Sequence, residues 1–537
     1  VNLWQLLEHH VSRTPDRVLL RFEDTLRTYG AVAAAALRWS AVFHGQGVGP
    51  GETVCLMLGN SPDYVAAWFG LCRLGAVAVP INVHTRGEGL AYVLAHSDAR
   101  LLVVEEPLLS HVEAARALVP QPPRVLLRPA PDAPDAPDAP DAPDGAGPRG
   151  AAYPLTTALL AGAAARGPDG NAAAEAVAGI LYTSGTTGPP KGVMLSHHAY
   201  VNSARCFAHE MVRATPEDVF FTTLPLFHIN AQAHTVLPAV LLNATFALAP
   251  RFSASGFWNE VRRHDATIFN SLAAMIPILC KQAPGDGDRR HRARLTACAA
   301  TPTDVWSEFE RRFGVTIVEG YGLTETAGFC VANPLHATRV GTIGRALSFV
   351  ETRVVDAQDN ALAAGDAGEI AIRARAPHVL MEGYFKMPEQ TAEAVRDGWF
   401  HSGDAGRADA DGYLTFVDRI KQSIRRRGEN ISSWEIEKVV NAHPRVLESA
   451  AVGVPSELAE EEVKVCVVAR PGETIDPLEI VRWCETRMAY YMVPRFVELR
   501  AALPKTATER VEKYKLKQEG SAGAWDRDAA GYVVRRS

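Results

Sequence analysis

The stretch from residue 52 to 104 constrains the fold more than any other part of the chain. ETVCLML reads as a buried strand, DYVAAWFGLCRLGA as a helix, VAVPI as a strand, EGLAYVLAHSDA as a helix and RLLVVEE as a strand. Apolar strand-length runs alternating with helices imply a parallel sheet covered on its faces by those helices. The alternation resumes from Ala176 to Gly322, where DATIFNS and RLTACAA read as strands and DVWSEFERRF as an amphipathic helix. Ligands in such folds bind beyond the carboxyl ends of the strands. From Gly341 to Val417 the texture changes to short β-type runs broken by Gly, Asp and Pro (ETRVVDAQDNAL, GEIAIRA, GYLTFVD), which predicts an antiparallel or barrel-like subdomain. Helix (SSWEIEKVVNAHP) and strand (SAAVGVP, VKVCVVA) then mix in a small α+β unit.

The expected class is therefore α/β. A large N-terminal domain of stacked α/β sheets covers residues 1–420, with the β-rich subdomain at 340–419, and a small α+β domain covers 421–517. The Gly-, Asp- and Arg-containing segment 518–537 reads as a frayed tail. Within 129–146 the repeated Pro-Asp-Ala unit contains no large apolar side chain, so it is expected to be a mobile surface loop outside the core.

At 537 residues the chain allows roughly three to five structural units. Lys and Arg total 55 against 61 Asp and Glu, a formal charge of −6, so no net positive field is available to displace counterions from nucleic acid. Cys55, Cys72, Cys206, Cys280, Cys298, Cys330, Cys466 and Cys484 form no CxxC pair, which argues against a disulfide framework or a zinc ribbon. The long apolar stretch Thr235–Pro250 has 16 residues and contains Asn243, too short and too polar to span a bilayer, so buried core is expected and a transmembrane anchor is not. No targeting leader is read from the sequence, and the expected location is cytoplasmic.

The strongest chemical signal is YTSGTTGPPKGVMLSH, Tyr182 to His197. A buried strand runs into a loop that offers the hydroxyls of Ser184, Thr186 and Thr187, close backbone approach at Gly185 and Gly188, and the Lys191 ammonium. Amides, hydroxyls and one cation suit a polyphosphate cradle. The Walker arrangement is excluded, because the lysine follows a second proline and no Ser or Thr comes directly after it.

With this loop, the chain resembles the adenylate-forming superfamily of acyl-CoA synthetases, peptide-synthetase adenylation domains and luciferases. Further motifs appear in that family's order: PLFHIN at Pro225–Asn230, YGLTET at Tyr321–Thr326, GYF at Gly383–Phe385, WFHSGD at Trp399–Asp404, DRIKQSIRRRGENIS at Asp418–Ser432, and LPKTATERVEKYKLK at Leu503–Lys517. The resemblance implies a nucleotide site made by Thr183, Ser184, Gly185, Thr186, Thr187, Gly188, Lys191, Ala299, Ala300, Tyr321, Gly322, Thr324, Asp404 and Arg419. Tyr321 offers an aromatic face to adenine, Thr324 a donor to phosphate, and Glu325 a hard carboxylate for Mg²⁺. Asp404 can accept from both ribose hydroxyls, with Arg419 in support.

His228 falls where the family brings acyl carboxylate and pantetheine together. Ile229, Asn230, Gln232, Asn270, Met275 and Cys298 complete the implied acyl pocket. Lys421 is the implied hinge of a rotating C-terminal domain, and His228, Arg427, Gly428 and Glu429 the implied CoA tunnel. The arginines 425–427 read equally as a solvated basic face or as partners of CoA phosphates. The implied reaction joins a carboxylic acid to AMP and then to CoA, with Lys191, Thr324, Glu325, His228 and the residue at 510 as its catalytic groups. The resemblance leaves room for a homodimer.

At one point the sequence departs from the family. Glu509 and Arg510 stand where the family has Gly and Lys, and that lysine bridges the incoming carboxylate and the α-phosphate. A planar, forked guanidinium does not fit the slot of a compact ammonium. Because positioning and charge neutralisation dominate phosphoryl-type chemistry, adenylation is expected to be weak or absent, while thioester formation from acyl-AMP and CoA is retained. A separate adenylating ligase would then supply acyl-AMP. The alternatives are a complete synthetase, in which Arg510 tolerates the role or Lys505 or Lys513 substitutes and ATP and Mg²⁺ are used, and a pseudoenzyme that only binds acyl-nucleotide. A second departure is Ala299–Ala300, where the family often has glycines. RRRGENISSWEIE and TERVEKYKLK are most similar to the carnitine/crotonobetaine-CoA ligase branch. With Arg510, the chain also resembles acyl-CoA ligases of diterpenoid-antibiotic pathways of the platensimycin and platencin type, which implies secondary metabolism and a bulky polycyclic acid.

Overall fold

The computed structural model describes residues 1–129, 153–164, 167–168, 170–183, 189–420, 424–426, 429–431, 433–455, 461–485, 487–488, 490–505 and 511–534. The Pro-Asp-Ala repeat, Ser184–Gly188, Lys421, Arg427, Gly428 and Arg510 lie outside them. The chain divides into two compact units, Val1–Glu351 with Ile372–Phe400, and Thr352–Ala371 with His401–Ser537. The division falls within the segment 340–419 and not at residue 420.

The first unit is built on two large sheets. The alternation read from residues 52–104 is realised as strand Thr53–Met57, helix Pro62–Leu74, strand Val77–Pro80, helix Gly87–His96 and strand Leu101–Glu105. Each of these strands is almost wholly buried, as both-face coverage by helices requires. Among the described residues this sheet has seven strands in the order Gly383–Tyr384, Lys191–Ser196, Val177–Thr183, Val77–Pro80, Thr53–Met57, Leu101–Glu105, Arg124–Arg128. Pairing is parallel except at the first two junctions, where Lys191–Ser196 runs antiparallel to both neighbours.

The second sheet has nine strands among the described residues, and Val219–Thr222, Ile268–Asn270, Leu295–Cys298 and Thr316–Leu323 lie side by side and parallel within it. Their register sets Phe221 beside Phe269, Asn270 beside Ala297 and Cys298 beside Glu319. All four strands therefore leave the sheet along one edge. The apolar stretch from Thr235 is core, as expected: Thr235, Val236, Leu237, Ala239, Val240, Phe246 and Leu248 are fully buried. No described helix is long and apolar enough to cross a membrane.

In the second unit, Asp404 to Ala408 pair antiparallel with the strand Leu414–Arg419, with Asp404 opposite Arg419. A four-stranded sheet follows in the order Val446–Pro455, Glu461–Ala469, Phe496–Arg500, Trp525–Asp526. The last of these strands corrects the expectation of a frayed tail. Trp525 and Asp526 pair with Val497 and Phe496, and Asp526 accepts two hydrogen bonds from Arg495 at 3.0 and 3.1 Å. Arg527 is buried and donates to the carbonyls of Val493 and Pro494, and the Tyr532 hydroxyl donates to Glu485 at 2.7 Å. Composition suggested fraying because these polar side chains find their partners only in tertiary space. Replacing Arg527 by Ala leaves both carbonyls without that donor and is expected to cost about 1–3 kcal/mol in urea unfolding of the whole chain. An unchanged unfolding curve would show that the tail is not integral to the unit.

Candidate functional site

The phosphate-loop motif is the connection between two antiparallel strands. Thr183 lies opposite Lys191 and Tyr182 opposite Gly192, so Lys191 opens the returning strand. The Thr183 hydroxyl donates to the Lys191 carbonyl at 3.4 Å. The Lys191 ammonium stands 4.5 Å from the ring centroid of Tyr384, a cation–π contact. Tyr384 belongs to the GYF motif and pairs with Val193 through the edge strand. Its hydroxyl donates to Glu325 Oε1 at 2.9 Å, and the Met381 amide donates to the Glu325 carbonyl at 2.9 Å. The loop lysine and the expected metal carboxylate thus meet at one phenol, that of the GYF motif.

Thr324 and Glu325 are presented by a tight turn between the antiparallel strands Thr316–Leu323 and Gly328–Ala332. Thr326 holds that turn: its buried hydroxyl donates to the Gly328 carbonyl at 2.7 Å and accepts from the Leu323 amide at 2.8 Å. Glycine is required on both arms. A Cβ at Gly322 would lie 1.9 Å from the Gly328 carbonyl oxygen, and one at Gly328, where φ is +110°, would lie 2.3 Å from His234 Cε1. The His234 ring is stacked 4.7 Å from both Phe207 and Phe329, so it cannot retreat. Among the described residues no group of three His, Cys, Asp or Glu side chains is placed to hold a metal ion. A single hard carboxylate at Glu325 fits Mg²⁺ shared with substrate phosphates, not Mg²⁺ in a protein cage.

The remaining first-unit residues gather at the carboxyl ends of the four parallel strands. Val219–Thr222 leads into PLFHIN, Ile268–Asn270 ends on Asn270, Leu295–Cys298 runs into Ala299 and Ala300, and Thr316–Leu323 carries Tyr321. His228 precedes the short helical turn Ile229–Ala231, with Phe227 edge-on at 4.7 Å. Burial pushes its imidazole down to about 4, and its Nε2 has no hydrogen-bond partner among the described residues; the same holds for Asn230 Oδ1 and Asn270 Oδ1. Ile229 and Met275 are buried, and burial raises the Cys298 thiol to about 12, so it is a neutral wall. Gln232 is differently employed. Its amide donates to Tyr64 at 3.1 Å and to the Leu226 carbonyl at 2.7 Å and accepts from Tyr200 at 2.8 Å, a scaffold role at zero exposure. The Asn270 amide likewise donates to Thr235 at 2.9 Å and to the His234 carbonyl at 3.1 Å.

The Ala299–Ala300 turn is held from below. Ala300 has φ +59°, a left-handed conformation that costs an alanine about 1–2 kcal/mol. Its amide donates to Glu319 Oε1 at 2.6 Å, and the Thr301 amide and hydroxyl both donate to Glu319 Oε2, the amide at 3.1 Å. Burial nevertheless raises the Glu319 carboxyl to about 7. The sequence reading missed Glu319, although one acidic residue in the otherwise apolar strand TIVEGYGL is the signal that finds it.

In the second unit, Asp404 is 1% exposed, and its carboxylate pairs with Arg419 Nε at 3.0 Å. Asp418 accepts from the Arg419 amide at 2.7 Å and from the Ser433 amide and hydroxyl at 2.6 and 3.0 Å, which caps the helix Ser433–Asn441. Lys513 donates to that same Ser433 hydroxyl at 2.6 Å and pairs with Glu437 at 2.8 Å. Lys505 pairs with Glu448 at 2.8 Å. Of the three consecutive arginines, Arg426 is an interior residue: it pairs with buried Glu462 at 2.7 Å and donates to the Tyr491 carbonyl at 2.6 Å. Neither reading of the basic run as a whole applies to it. Glu429 opens the strand Glu429–Ile431 opposite Arg426.

Two family profiles match the chain: "AMP-binding enzyme" over residues 7–385 and "AMP-binding enzyme C-terminal domain" over 435–510. A crotonobetaine/carnitine–CoA ligase of Salmonella paratyphi A is 33% identical over 533 residues, covering 96% of this chain and 99% of the relative. Among solved structures, the anthranilate CoA ligase AuaEII in complex with anthranoyl-AMP superposes with a TM-score of 0.86 at 25% identity, over 97% of each chain. ATP-bound MatB from Rhodopseudomonas palustris gives 0.83 at 26%, over 97% of this chain and 99% of the other. Taken with the motif residues gathered at one sheet edge, these likenesses establish that the chain belongs to the AMP-binding enzyme family and is an acyl-CoA ligase working through an acyl-adenylate.

Proposed function

We propose that this ligase performs the second half-reaction well and the first poorly. In the second, the CoA thiol sulfur bonds to the carbonyl carbon of acyl-AMP, the carbon–oxygen bond to phosphate breaks, the thiol gives up its proton, and AMP leaves. Two observations carry the proposal: in the sequence Arg510 stands where the family has its bridging lysine, and the lysines on either side of it in the chain are engaged, Lys505 with Glu448, and Lys513 with Glu437 and Ser433. A lysine that already neutralises a carboxylate must break that pair before it can bridge two substrate anions. A guanidinium at 510 carries the charge in the wrong shape. Acyl-AMP would then come from a separate adenylating ligase, and the C-terminal domain would rotate about Lys421.

His228 supports the same reading. A neutral imidazole in a desolvated position orients carboxyl and thiol oxygen and sulfur atoms through hydrogen bonds without adding charge. The acyl set of His228, Ile229, Asn230, Asn270, Met275 and Cys298 is neutral throughout, which suits an apolar carboxylic acid better than a substrate carrying a quaternary ammonium. A bulky polycyclic acid from secondary metabolism is the substrate class we propose.

The test assays the halves separately, with wild type and Arg510→Lys: ATP plus a panel of acids for pyrophosphate release, and synthetic acyl-AMP plus CoA for thioester. Wild type is expected to form thioester but release little pyrophosphate, and the lysine variant to gain release by roughly a hundredfold or more. Normal pyrophosphate release by wild type would make this a complete synthetase, and absence of thioester from acyl-AMP would make it a pseudoenzyme. The pH profile gives a second prediction. Because the His228 ring stays neutral down to about pH 4, thioester formation should show no loss from its protonation between pH 5 and 8. An inflection near pH 6.5 that disappears in His228→Gln would contradict it.

A further inference from the structure

We propose that Glu319 is a positioning residue for the nucleotide base, acting through the Cys298–Thr301 turn. The inference rests on the reading of Ala299 and Ala300 as the adenine wall and deepens it by naming what holds that wall in place. Glu319 lies one strand away, opposite Cys298 in the parallel register, and is 4% exposed. Its two oxygens accept from the Ala300 amide, the Thr301 amide and the Thr301 hydroxyl, all from one turn. Among the described residues no cation is paired with it. A buried carboxylate without a cation is costly, and these three donors offset part of that cost.

The turn in its grip is the one whose alanine sits at φ +59°. Without the clamp, an alanine has every reason to relax out of the left-handed region, and the Ala299–Ala300 peptide moves with it. The clamp and the strain are two halves of one device: the carboxylate fixes a backbone geometry that glycine would adopt freely and alanine does not. The turn also joins strand Leu295–Cys298 to helix Thr303–Phe313, so its displacement is not absorbed by a flexible loop.

The experiment measures AMP binding by calorimetry, and the unfolding midpoint in parallel, on the full chain as wild type, Glu319→Gln, Thr301→Val, Ala300→Gly, the double variant Glu319→Gln/Ala300→Gly, and Tyr321→Ala. Glutamine keeps the shape but has one accepting oxygen, so the AMP Kd is expected to rise about tenfold. Thr301→Val removes one donor and should give a smaller rise in the same direction, which keeps the test alive if the glutamine variant does not fold. Adding Ala300→Gly to Glu319→Gln should recover affinity by about threefold or more, because glycine holds positive φ without the clamp. Generalised loosening would instead be worsened by a glycine. Wild-type affinity in both Glu319→Gln and Thr301→Val, or no recovery in the double variant, overturns the clamp. If Tyr321→Ala weakens AMP binding and the clamp variants do not, the nucleotide assignment survives and this inference falls. If AMP binding is indifferent to Tyr321→Ala as well, the assignment itself is what has failed.

Discussion

The parallel register of four neighbouring strands is the constraint on which the first unit depends. Parallel strands joined by crossovers must all point the same way, so the loops after Val219–Thr222, Ile268–Asn270, Leu295–Cys298 and Thr316–Leu323 emerge along one edge. His228, Asn270, Ala299, Ala300 and Tyr321 are far apart in sequence and share that edge for this reason alone. Each loop is then fixed by its own buried contacts: Asn270 by Thr235 and His234, the Ala299–Ala300 turn by Glu319, and the turn bearing Thr324 and Glu325 by Thr326.

Polar groups do most of the fixing, and their placement follows from burial. Tyr64, Tyr200 and Gln232 satisfy one another and the Leu226 carbonyl in the interior, so the chain leading from PLFHIN is held by hydrogen bonds that solvent cannot replace. In contrast, His228 Nε2 and Asn230 Oδ1 are buried without partners among the described residues, an arrangement that costs stability unless a ligand uses it. That contrast separates scaffold from site within a few residues of one motif.

The second unit shows the same economy of polar contacts around Asp418 and Ser433. Asp418 caps the helix Ser433–Asn441, Ser433 receives Lys513, and Lys513 pairs with Glu437, which also accepts the Ala451 amide at 2.6 Å. One buried network thus connects the DRIK segment, the first helix of the C-terminal fold and the helix Lys513–Gln518. Arg426 and Glu462 form a second interior pair that no reading of charge runs would have separated from its neighbours. Burial raises the Glu437 carboxyl even with Lys513 beside it.

The sequence carries the fold class in apolar runs whose length and alternation permit little else, and the reaction class in the likeness of its ordered motifs to the adenylate-forming family. It also exposed Arg510 as a departure, since a residue type at a motif position is legible without coordinates. Which polar groups are satisfied internally is visible only once the chain is folded. Gln232 reads as a pocket residue until Tyr64 and Tyr200 are seen to claim it, and the segment after Lys517 reads as frayed until Asp526 and Arg527 find Arg495 and the Val493 carbonyl. Glu319 and Tyr384 gained roles for the same reason. Hydrogen bonds between residues separated by tens of positions depend on strand register and crossover direction, and neither is encoded in the local pattern that a sequence displays.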